Sequence, residues 1–404
     1  MEFKNLSEIS HIRNENIINN TNSSLIYVTT SNILPNKKGI DLNLEMSFDK
    51  SGKKFYKNDI LVSNIRPYFK KIWKANMDGI TSNDVLIFYP NEEVNLDYLY
   101  FVLAQDDFFD YATKTSKGTK MPRGDKAAIN KFKILLPKLN IQMKIASILS
   151  NLDSKIEINN KIISNLESQA QAIFKSWFVD FEPFQDGNFV ESELGMIPEG
   201  WEVKKVNEIC DLKIGRTPPR KESEWFSLKE GVKWVSIKDL GLSQMYISEV
   251  TEYLTEESIE KFNIPIVEEN TLLLSFKLTV GRIAITTEKM CTNEAIAQFK
   301  DPLISTLFLF YYFKNFKFET LGNTSSIGNA VNSKIIKNIE VLVPPEKIVL
   351  KVMKMIEPLS ICIRNLLTQN TKLAELRDAL LPKLMAGEID VSNIKIEGEE
   401  VKNE

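Results

Sequence analysis

The sequence contains the same long helical pattern twice, and this repeat limits what the chain can fold into. Apolar residues recur at steps of three and four from Leu152 to Trp177 and again from Leu359 to Leu384, which is the spacing of a heptad seam. The two seams superpose at one offset of 207 residues. The same offset places Ile26–Asn32 over Lys233–Asp239. We therefore predict a duplicated unit, each copy a globular region followed by a long helix, with approximate two-fold symmetry.

The matched seams predict that the two helices pack against each other as an antiparallel coiled coil, because a two-fold axis across the pair inverts its direction. Two asparagines interrupt the apolar runs, and a buried asparagine at such a position fixes the register. The alternative is that each helix belongs only to the core of its own domain. The expected helix-packing residues are Leu152, Ile156, Asn159, Ile163, Leu166, Leu359, Ile363, Leu366, Asn370 and Leu373.

Turn signals and changes in composition divide the chain into six segments. Both globular regions mix short apolar strands with helices, so the predicted fold class is α/β (α+β), two domains in tandem. Within the helical segments, we expect a break between Leu149 and Leu152, and we place Pro358 at the first turn of the second long helix. The segments are a globular region 1–137, a helical region 138–183, a linker 184–199, a second globular region 200–343, a second helical region 344–387 and a frayed acidic tail 388–404.

Composition and residue types argue against most catalytic and membrane functions. No apolar run approaches the roughly 20 residues of a membrane helix, and Cys210, Cys291 and Cys362 are far apart, as expected of reduced thiols in a cytoplasmic protein. The single histidine, His11, leaves no zinc set and no catalytic triad. Neither a phosphate loop nor a dinucleotide fingerprint is present. We therefore predict a binding protein with no catalytic residues and no metal.

Basic clusters are the positive signal for a binding function. Between Lys50 and Lys74 eight cations stand against one anion, with five aromatic side chains interleaved, although the net charge of the chain is -3. Lysine and arginine at this density can neutralise the phosphates of a nucleic acid or read its base edges. The alternative is that these cations only form a solvated protein surface. The candidate DNA-binding residues are Lys53, Lys54, Arg66, Lys70, Lys71, Lys117, Lys120, Arg123, Lys213, Arg216, Thr217, Arg220, Lys221, Lys277 and Arg282.

Taken together, these segments resemble the specificity subunits of type I restriction–modification systems. The resemblance rests on Glu193–Trp201 at the start of the second half, and on Gly215–Pro218 followed by Lys233–Leu240. It also rests on the Leu-Pro or Val-Pro dipeptide before each helix and on Leu380–Ile389 at the end of the second. It covers nearly the whole chain, and the first half departs from it by lacking the Gly-x-Thr-Pro loop.

The resemblance implies a specific division of labour. Each globular region would be a target-recognition domain that reads one half of a bipartite, asymmetric DNA site. The helices would set the spacer between the half-sites and dock two methyltransferase subunits. Those partners would bind S-adenosylmethionine, and restriction subunits could join them. This chain would bind no cofactor, carry no catalysis and have no membrane partner.

Three other readings stay open at this stage. The chain could be the specificity subunit of a related two-subunit (type IIB-like) system, which the sequence does not distinguish from type I. It could be a nuclease or methyltransferase in its own right, although the motifs for these are missing. It could also be a coiled-coil scaffold that does not bind DNA, and such a scaffold would show no salt-dependent affinity for it.

Overall fold

The computed structural model describes residues 2–18, 25–42, 51–321 and 331–395, which form two compact units. Unit 1 comprises residues 1–156 together with 373–404, and unit 2 comprises residues 157–372. Each unit therefore combines a globular region with parts of both long helices. Lys50 and the tail beyond residue 395, both named above, lie outside the described residues.

The globular region of unit 1 begins and ends with paired strands. Its elements in chain order are β1 Glu2–Asn5, α1 Leu6–Ile9, β2 Ser10–Ile12, β3 Asn16–Ile18, β4 Ile26–Val28, β5 Ser51–Phe55, β6 Ile60–Ser63, β7 Ile72–Lys74, β8 Gly79–Thr81, β9 Val85–Pro90, α2 Leu96–Ala104, α3 Asp106–Lys114, α4 Lys126–Ile129 and β10 Lys133–Leu136, with a 3-10 turn at Pro67–Phe69. The long helix α5 follows, at Leu139–Phe178.

Two four-stranded sheets form the body of unit 1. The first has the order β2-β9-β6-β7 and is antiparallel throughout. The second has the order β3-β5-β8-β4, and its β4–β8 pair is parallel. Strands β1 and β10 pair separately and bring the two ends of the region together before α5 begins.

The globular region of unit 2 follows a hairpin. Its elements are β11 Phe189–Ser192, β12 Gly195–Pro198, β13 Glu202–Lys205, α6 Val206–Ile209, β14 Asp211–Ile214, β15 Phe226–Ser227, β16 Val232–Val235, α7 Ile237–Leu242, β17 Tyr246–Ile247, β18 Glu252–Leu254, α8 Glu256–Lys261, β19 Ile266–Val267, β20 Leu272–Ser275, β21 Ile283–Thr286, β22 Met290–Thr292, β23 Ile296–Lys300, α9 Thr306–Asn315, α10 Ser333–Lys337 and β24 Glu340–Val343. Short 3-10 turns lie at Glu182–Phe184, Ser223–Trp225 and Phe318–Leu321, and α11 spans Glu346–Met385.

The topology of unit 2 repeats that of unit 1 and confirms the predicted duplication. Its first sheet, β14-β23-β20-β21-β17, places four strands in the order seen in β2-β9-β6-β7 and adds β17 at the edge. In its second sheet, β15-β18-β16-β22-β19, the parallel pair β16–β22 corresponds to β4–β8. The pair β13–β24 corresponds to β1–β10. The predicted class, two tandem domains of mixed helix and sheet, is therefore confirmed.

The two long helices confirm the predicted offset, but two expectations inside them were wrong. Helices α5 and α11 each contain 40 residues, and their first residues, Leu139 and Glu346, are 207 positions apart. No break separates Leu149 from Leu152, since α5 is continuous and neither Ser150 nor Asn151 interrupts the backbone ladder. Pro358 lies in the interior of α11, not at its first turn.

Packing explains why α11 continues through Pro358. An interior proline removes one backbone hydrogen bond and crowds the preceding turn, at a cost of about 3 kcal/mol. Val352 and Ile356 precede it and Ile363 follows it, and all three are fully buried in the core of unit 2. Burying side chains of this size stabilises by about 1.5–3 kcal/mol each, which exceeds the cost of the proline.

Within each unit, α5 and α11 run antiparallel. In unit 1, Arg377 Nη1 lies 2.7 Å from Asp153 Oδ1, and Leu149 shares an apolar core with Leu381 and Leu384. In unit 2, Asn159 Nδ2 donates to Asn370 Oδ1 at 2.8 Å, and the Lys351 ammonium lies 4.9 Å from the centre of the Trp177 ring. In both units, residues further along α5 meet residues earlier in α11. None of the ten seam residues is exposed.

A polar layer in unit 2 distinguishes the two helices from each other. Asn159 is fully buried and donates to both Asn370 and Gln369, while Asn370 Nδ2 donates to Asn160 Oδ1 at 2.9 Å. At the offset of 207 residues, the positions related to Asn370 and Asn159 are Ile163 and Leu366, which lie in the apolar core. One layer of the pseudo-symmetric pair is therefore polar, and its counterpart is apolar.

The ends of the two helices are covered by the segments that follow them. After α11, Val391 is 2% exposed in the core of unit 1, and Lys144 Nζ donates to the carbonyl oxygen of Ser392 at 2.8 Å. Ile389 and Val391 pack on the core of unit 1, so the expectation that the chain frays directly after Gly387 was wrong, although Glu388, Asp390 and residues 392–395 are exposed. After α5, the expected linker 184–199 contains the hairpin β11–β12.

We predict that Asn159 and Asn370 are energetically coupled. Asn370→Leu should lower the free energy of unfolding by about 1–3 kcal/mol, because it leaves a buried amide of Asn159 short of a partner. The double variant N159I/N370L should recover that loss, because it places isoleucine on α5 and leucine on α11, as in the Ile163–Leu366 layer. Denaturant unfolding followed by circular dichroism measures both, with the exposed Asn165→Ala as the control. Additive losses in the double variant would contradict the coupling.

Candidate nucleic-acid interface

In unit 1, two basic segments that are distant in sequence lie side by side. The turn 64–71 connects β6 to β7, and the loop 115–125 follows α3. Arg66 N donates to the carbonyl oxygen of Pro122 at 2.8 Å, and Gly124 N donates to that of Asn64 at 3.0 Å. These contacts bring the first cluster, Arg66, Lys70 and Lys71, next to the second, Lys117, Lys120 and Arg123.

Most cations of this surface are held by specific partners. Lys70 and Lys37 lie 2.9 and 3.0 Å from the same Asp106 carboxylate oxygen. Burial alone would raise the pKa of Asp106, but the hydrogen bonds from the two lysines lower it below its usual value. Lys71 Nζ donates to the carbonyl oxygen of Thr30, and burial lowers the pKa of Lys71.

The loop 115–125 presents its cations outward. Lys117 pairs with Asp125 at 2.6 Å, and Arg123 pairs with Asp84 at 3.0 Å, yet both cationic side chains stay mostly exposed. Lys120 is exposed, and no ion pair joins it to another described residue. Surface pairs of this kind contribute about 0–1 kcal/mol, so their cations can exchange a carboxylate for a phosphate at little cost.

Lys53 and Lys54 lie on β5, in the other sheet of unit 1. Lys53 is buried, and burial and then the nearby charge of Lys126 lower its pKa. Lys54 stacks its ammonium 4.5 Å from the centre of the Tyr56 ring. The structure therefore brings Lys53 close to Lys126, at the start of α4, and does not place Lys54 among the loop cations.

In unit 2, the Gly-Arg-Thr-Pro loop is fixed to the segment between β22 and β23. A β-carbon at Gly215 would clash with the side chain and carbonyl of Thr292, so only glycine permits this approach. Arg216 N donates to the carbonyl oxygen of Thr292 at 2.9 Å. The Thr217 hydroxyl donates to the Glu294 carboxylate. The predicted Thr217 is therefore half-buried and positions its own loop.

The arginines of unit 2 differ in how much of each is free to bind a ligand. Arg220 donates to both carboxylate oxygens of Glu252, and its guanidinium stacks 4.3 and 4.4 Å from the ring centres of Phe226 and Trp234. Arg282 Nη1 donates to the carbonyl oxygen of Ile237, and the same side chain packs on Gly241. Arg220 and Arg282 thus stabilise the domain.

Other cations of unit 2 remain available. Arg216 is exposed, although its Nη1 donates to the carbonyl oxygen of Phe262 at 2.6 Å. Lys213 is exposed and lies 2.9 Å from its neighbour Asp211. Lys221 is exposed, and no ion pair to it occurs within the described ranges. Lys277 stands on the turn between β20 and β21, beside the Phe276 ring.

Sequence reasoning missed the acidic residues that organise these loops. Asp84 follows β8 and precedes β9, and Glu294 occupies the equivalent place between β22 and β23. Each carboxylate ties a basic loop to the sheet, through Arg123 in unit 1 and Thr217 in unit 2. In both repeats the carboxylate follows an asparagine, as Asn83-Asp84 and Asn293-Glu294, and this recurrence could have identified them from the sequence.

No metal-binding group and no membrane-spanning helix accompanies these loops in the described part of the chain. Residues 2–18, 25–42, 51–321 and 331–395 contain no group of three or more His, Cys, Asp or Glu side chains placed to hold a metal. Burial raises the pKa of the Cys210 and Cys291 thiols to about 12, so both stay protonated. None of the described helices is long and apolar enough to span a membrane. The arrangement presents cations on ordered loops, which suits a polyanion.

The chain belongs to the family of the type I restriction modification DNA specificity domain. The family model matches two stretches, residues 1–168 and 198–376, which together cover most of the chain and coincide with the two repeats. The protein is therefore a DNA-recognition subunit of the restriction–modification class, with two tandem specificity domains.

Curated relatives agree with this assignment, and one solved structure shares the fold. The chain is 28% identical to the type I restriction enzyme MjaIX specificity subunit of Methanocaldococcus jannaschii over 76% of this chain and 72% of that protein. It is 25% identical to the HindI specificity subunit of Haemophilus influenzae, over 92% and 95%. The crystal structure of a type I restriction–modification S subunit from M. genitalium matches its fold with a TM-score of 0.56 at 15% identity, over 95% of this chain and 96% of that one.

We predict opposite phenotypes for the neighbouring cations Arg220 and Lys221. Arg220→Ala removes two ring contacts and the Glu252 pair, so the free energy of unfolding should fall by about 1–2 kcal/mol. Lys221→Ala should leave stability unchanged within about 0.5 kcal/mol, weaken DNA binding and reduce the slope of log K against log salt by about 1. Thermal unfolding and salt-dependent DNA binding test the pair. If wild type and Lys221→Ala show the same slope of log K against log salt, Lys221 does not contact DNA.

Proposed function

We propose that this chain reads a bipartite, asymmetric DNA site, with each unit reading one half. The observation that carries the proposal is that both units contain the same sheet topology. The loops at the edge of that sheet differ between the two units. Unit 2 carries the loop 215–222, which has no counterpart of that sequence in unit 1. Unit 1 instead places the loop 115–125 against the turn 64–71. Two scaffolds of equal topology with unequal loops suit two different half-sites.

Phosphate contact and base readout would be divided among the loop cations. Lys117, Lys120 and Arg123 in unit 1, and Lys213, Arg216 and Lys221 in unit 2, are exposed and would face the DNA. Arg216 is the preferred base reader, since a guanidinium can donate two bonds to guanine, whereas the lysines act as point charges on phosphates. Arg216→Ala should then relax one half-site only.

We propose that the helices dock two methyltransferase subunits and set the spacer between the half-sites. Met143 on α5 and Leu350 on α11 support the docking, because both are exposed apolar residues and they stand at the same place in the repeat. A surface that occurs once per repeat suits two copies of one partner. S-adenosylmethionine would bind to that partner, and restriction subunits could join the complex, while this chain would take no part in catalysis. Such an assembly, acting on chromosomal DNA, would work in the cytoplasm.

Methylation mapping tests the proposal directly. The chain would be co-expressed with a candidate methyltransferase from the same genome, and modified adenines would be mapped across the host DNA. The expected result is a gapped, asymmetric motif with one methylated adenine on each strand. The motif should disappear when the methyltransferase is expressed without this chain.

Two controls separate the remaining alternatives. Arg216→Ala should change the bases of one half-site and leave the other half intact. A palindromic motif would contradict two different readers. A well-formed complex that methylates nothing and shows no salt-dependent affinity for DNA would favour the scaffold. Methylation by the purified chain without a partner would make it an enzyme in its own right.

A further inference from the structure

The same hairpin turn in both units ends in exposed apolar side chains. The turn 64–71 joins β6 to β7, and the turn 276–282 joins β20 to β21, the equivalent strands of the repeated sheet. In unit 1, Tyr68 and Phe69 are 46% and 39% exposed and lie against each other with ring centres 4.8 Å apart. In unit 2, Leu278 is 97% exposed.

These exposed apolar residues occur at the same topological position in both units, which distinguishes them from single leucines scattered over the surface. Single exposed apolar side chains are common and need no explanation. Here the two turns differ in sequence and share only their place in the fold and their apolar tips. In unit 1, the neighbouring loop adds Met121, also half-exposed, next to Pro122, which accepts the Arg66 amide. A shared feature retained on unlike sequences points to a shared contact.

A left-handed backbone conformation, which is costly outside glycine, occurs beside the tip in unit 1 and at the tip itself in unit 2. Arg66 and Lys70 flank Tyr68 and Phe69 with φ of 49° and 50°, and Leu278 has φ of 61°. Such left-handed conformations persist where surrounding contacts impose them. A tip that is fixed before it binds loses little conformational entropy on binding.

Local contacts supply that constraint. In unit 1, Arg66 N donates to Pro122 at 2.8 Å, and Asn36 N donates to the carbonyl oxygen of Phe69 at 2.8 Å. In unit 2, Gly281 N donates to the carbonyl oxygen of Ser275 at 3.0 Å, and Ser275 Oγ donates to that of Thr279 at 2.6 Å. Each turn is thus closed at its base, and its apolar tip is left exposed.

Charge around the tips favours DNA over a protein partner. Lys277 precedes Leu278 directly, and the loop carrying Lys117, Lys120 and Arg123 borders the unit 1 turn. An apolar residue beside a cation suits a base step whose flanking phosphate the cation neutralises. Phenylalanine and leucine are among the side chains that proteins insert between base pairs to unstack and bend the duplex.

We propose that Leu278 in unit 2 and the Tyr68–Phe69 pair in unit 1 act as wedges, each partly unstacking one base step within its half-site. This inference rests on the proposed reading of DNA and adds to it a deformation of the target. Part of the sequence preference would then come from how easily a step unstacks, so pyrimidine–purine steps are favoured at these positions.

Fluorescence of 2-aminopurine tests the wedges in the complete complex of this chain with its methyltransferase. The base analogue would be placed at each step of the mapped site in turn, excluding the methylated adenine, which the methyltransferase must itself expose. The wild-type complex should raise the fluorescence at one step in each half-site. Leu278→Ser should abolish the rise in one half-site, and Tyr68→Ser should abolish it in the other.

Affinity and salt dependence accompany the fluorescence. Leu278→Ser should weaken binding of the specific site by about tenfold or more, since the serine leaves the opened base step without the apolar side chain that would fill it. The salt slope should stay unchanged, because no charge is removed. The control is Leu303→Ser, the same change at a leucine that is 81% exposed beyond the opposite end of strands β20 and β23. It should leave fluorescence and affinity at wild-type values.

The outcomes separate the wedge from the proposed function. If Leu278→Ser keeps both the fluorescence rise and wild-type affinity, the wedge is overturned and DNA reading stands. If it instead loses the methyltransferase on purification, the tip is a protein contact and the wedge is overturned as well. A wild-type complex that neither binds nor methylates DNA overturns the proposed function, and the wedge falls with it.

Discussion

The antiparallel packing of α5 on α11 is the constraint on which the rest of the structure depends. Each unit completes its core with helix segments from distant parts of the chain, since Leu381, Leu384 and Val391 are buried with the N-terminal domain. In unit 2, Ile163 and Phe174 of α5 share a core with Val352 and Ile356 of α11. An apolar seam alone would tolerate a shift in register, whereas the buried amide of Asn159 finds its partners at one register only. The position of each helix segment in its domain is therefore fixed by packing and hydrogen bonds together.

The duplicated scaffold supplies stability, and in the proposed function its varied loops supply recognition. The repeated sheets bury nearly continuous apolar strands such as Leu272–Ser275, and the loops at their edge carry cations on ordered backbone. Some of those cations belong to the scaffold, because Arg220 lies against the Phe226 and Trp234 rings and is bound to Glu252. Others are solvated and can exchange their carboxylate for a phosphate. A fold of this kind can change its target by changing loops while its cores remain intact.

Several parts of the candidate site could be predicted from the sequence, and others could not. The density of lysine and arginine identified both loop regions, because charge is a local property of the sequence. It did not distinguish Arg220 from Lys221, since the difference depends on Phe226, Trp234 and Glu252, which approach only in the folded domain. Nor did it identify Leu278, whose exposure and left-handed backbone are set by the closure of its hairpin. Lys53, by contrast, reads as a surface cation and is buried.

By itself, the sequence determined the duplication, the offset of 207 residues and the class of fold, because heptad spacing and strand composition follow from local side-chain periodicity. It also determined that two asparagines would interrupt the seams. Tertiary structure decided that α5 continues past Leu149, that α11 runs through Pro358 and that Ile389 and Val391 pack on the core of unit 1. The reason is common to all three, since burial of apolar surface against distant segments outweighs the local preferences that a sequence pattern reports.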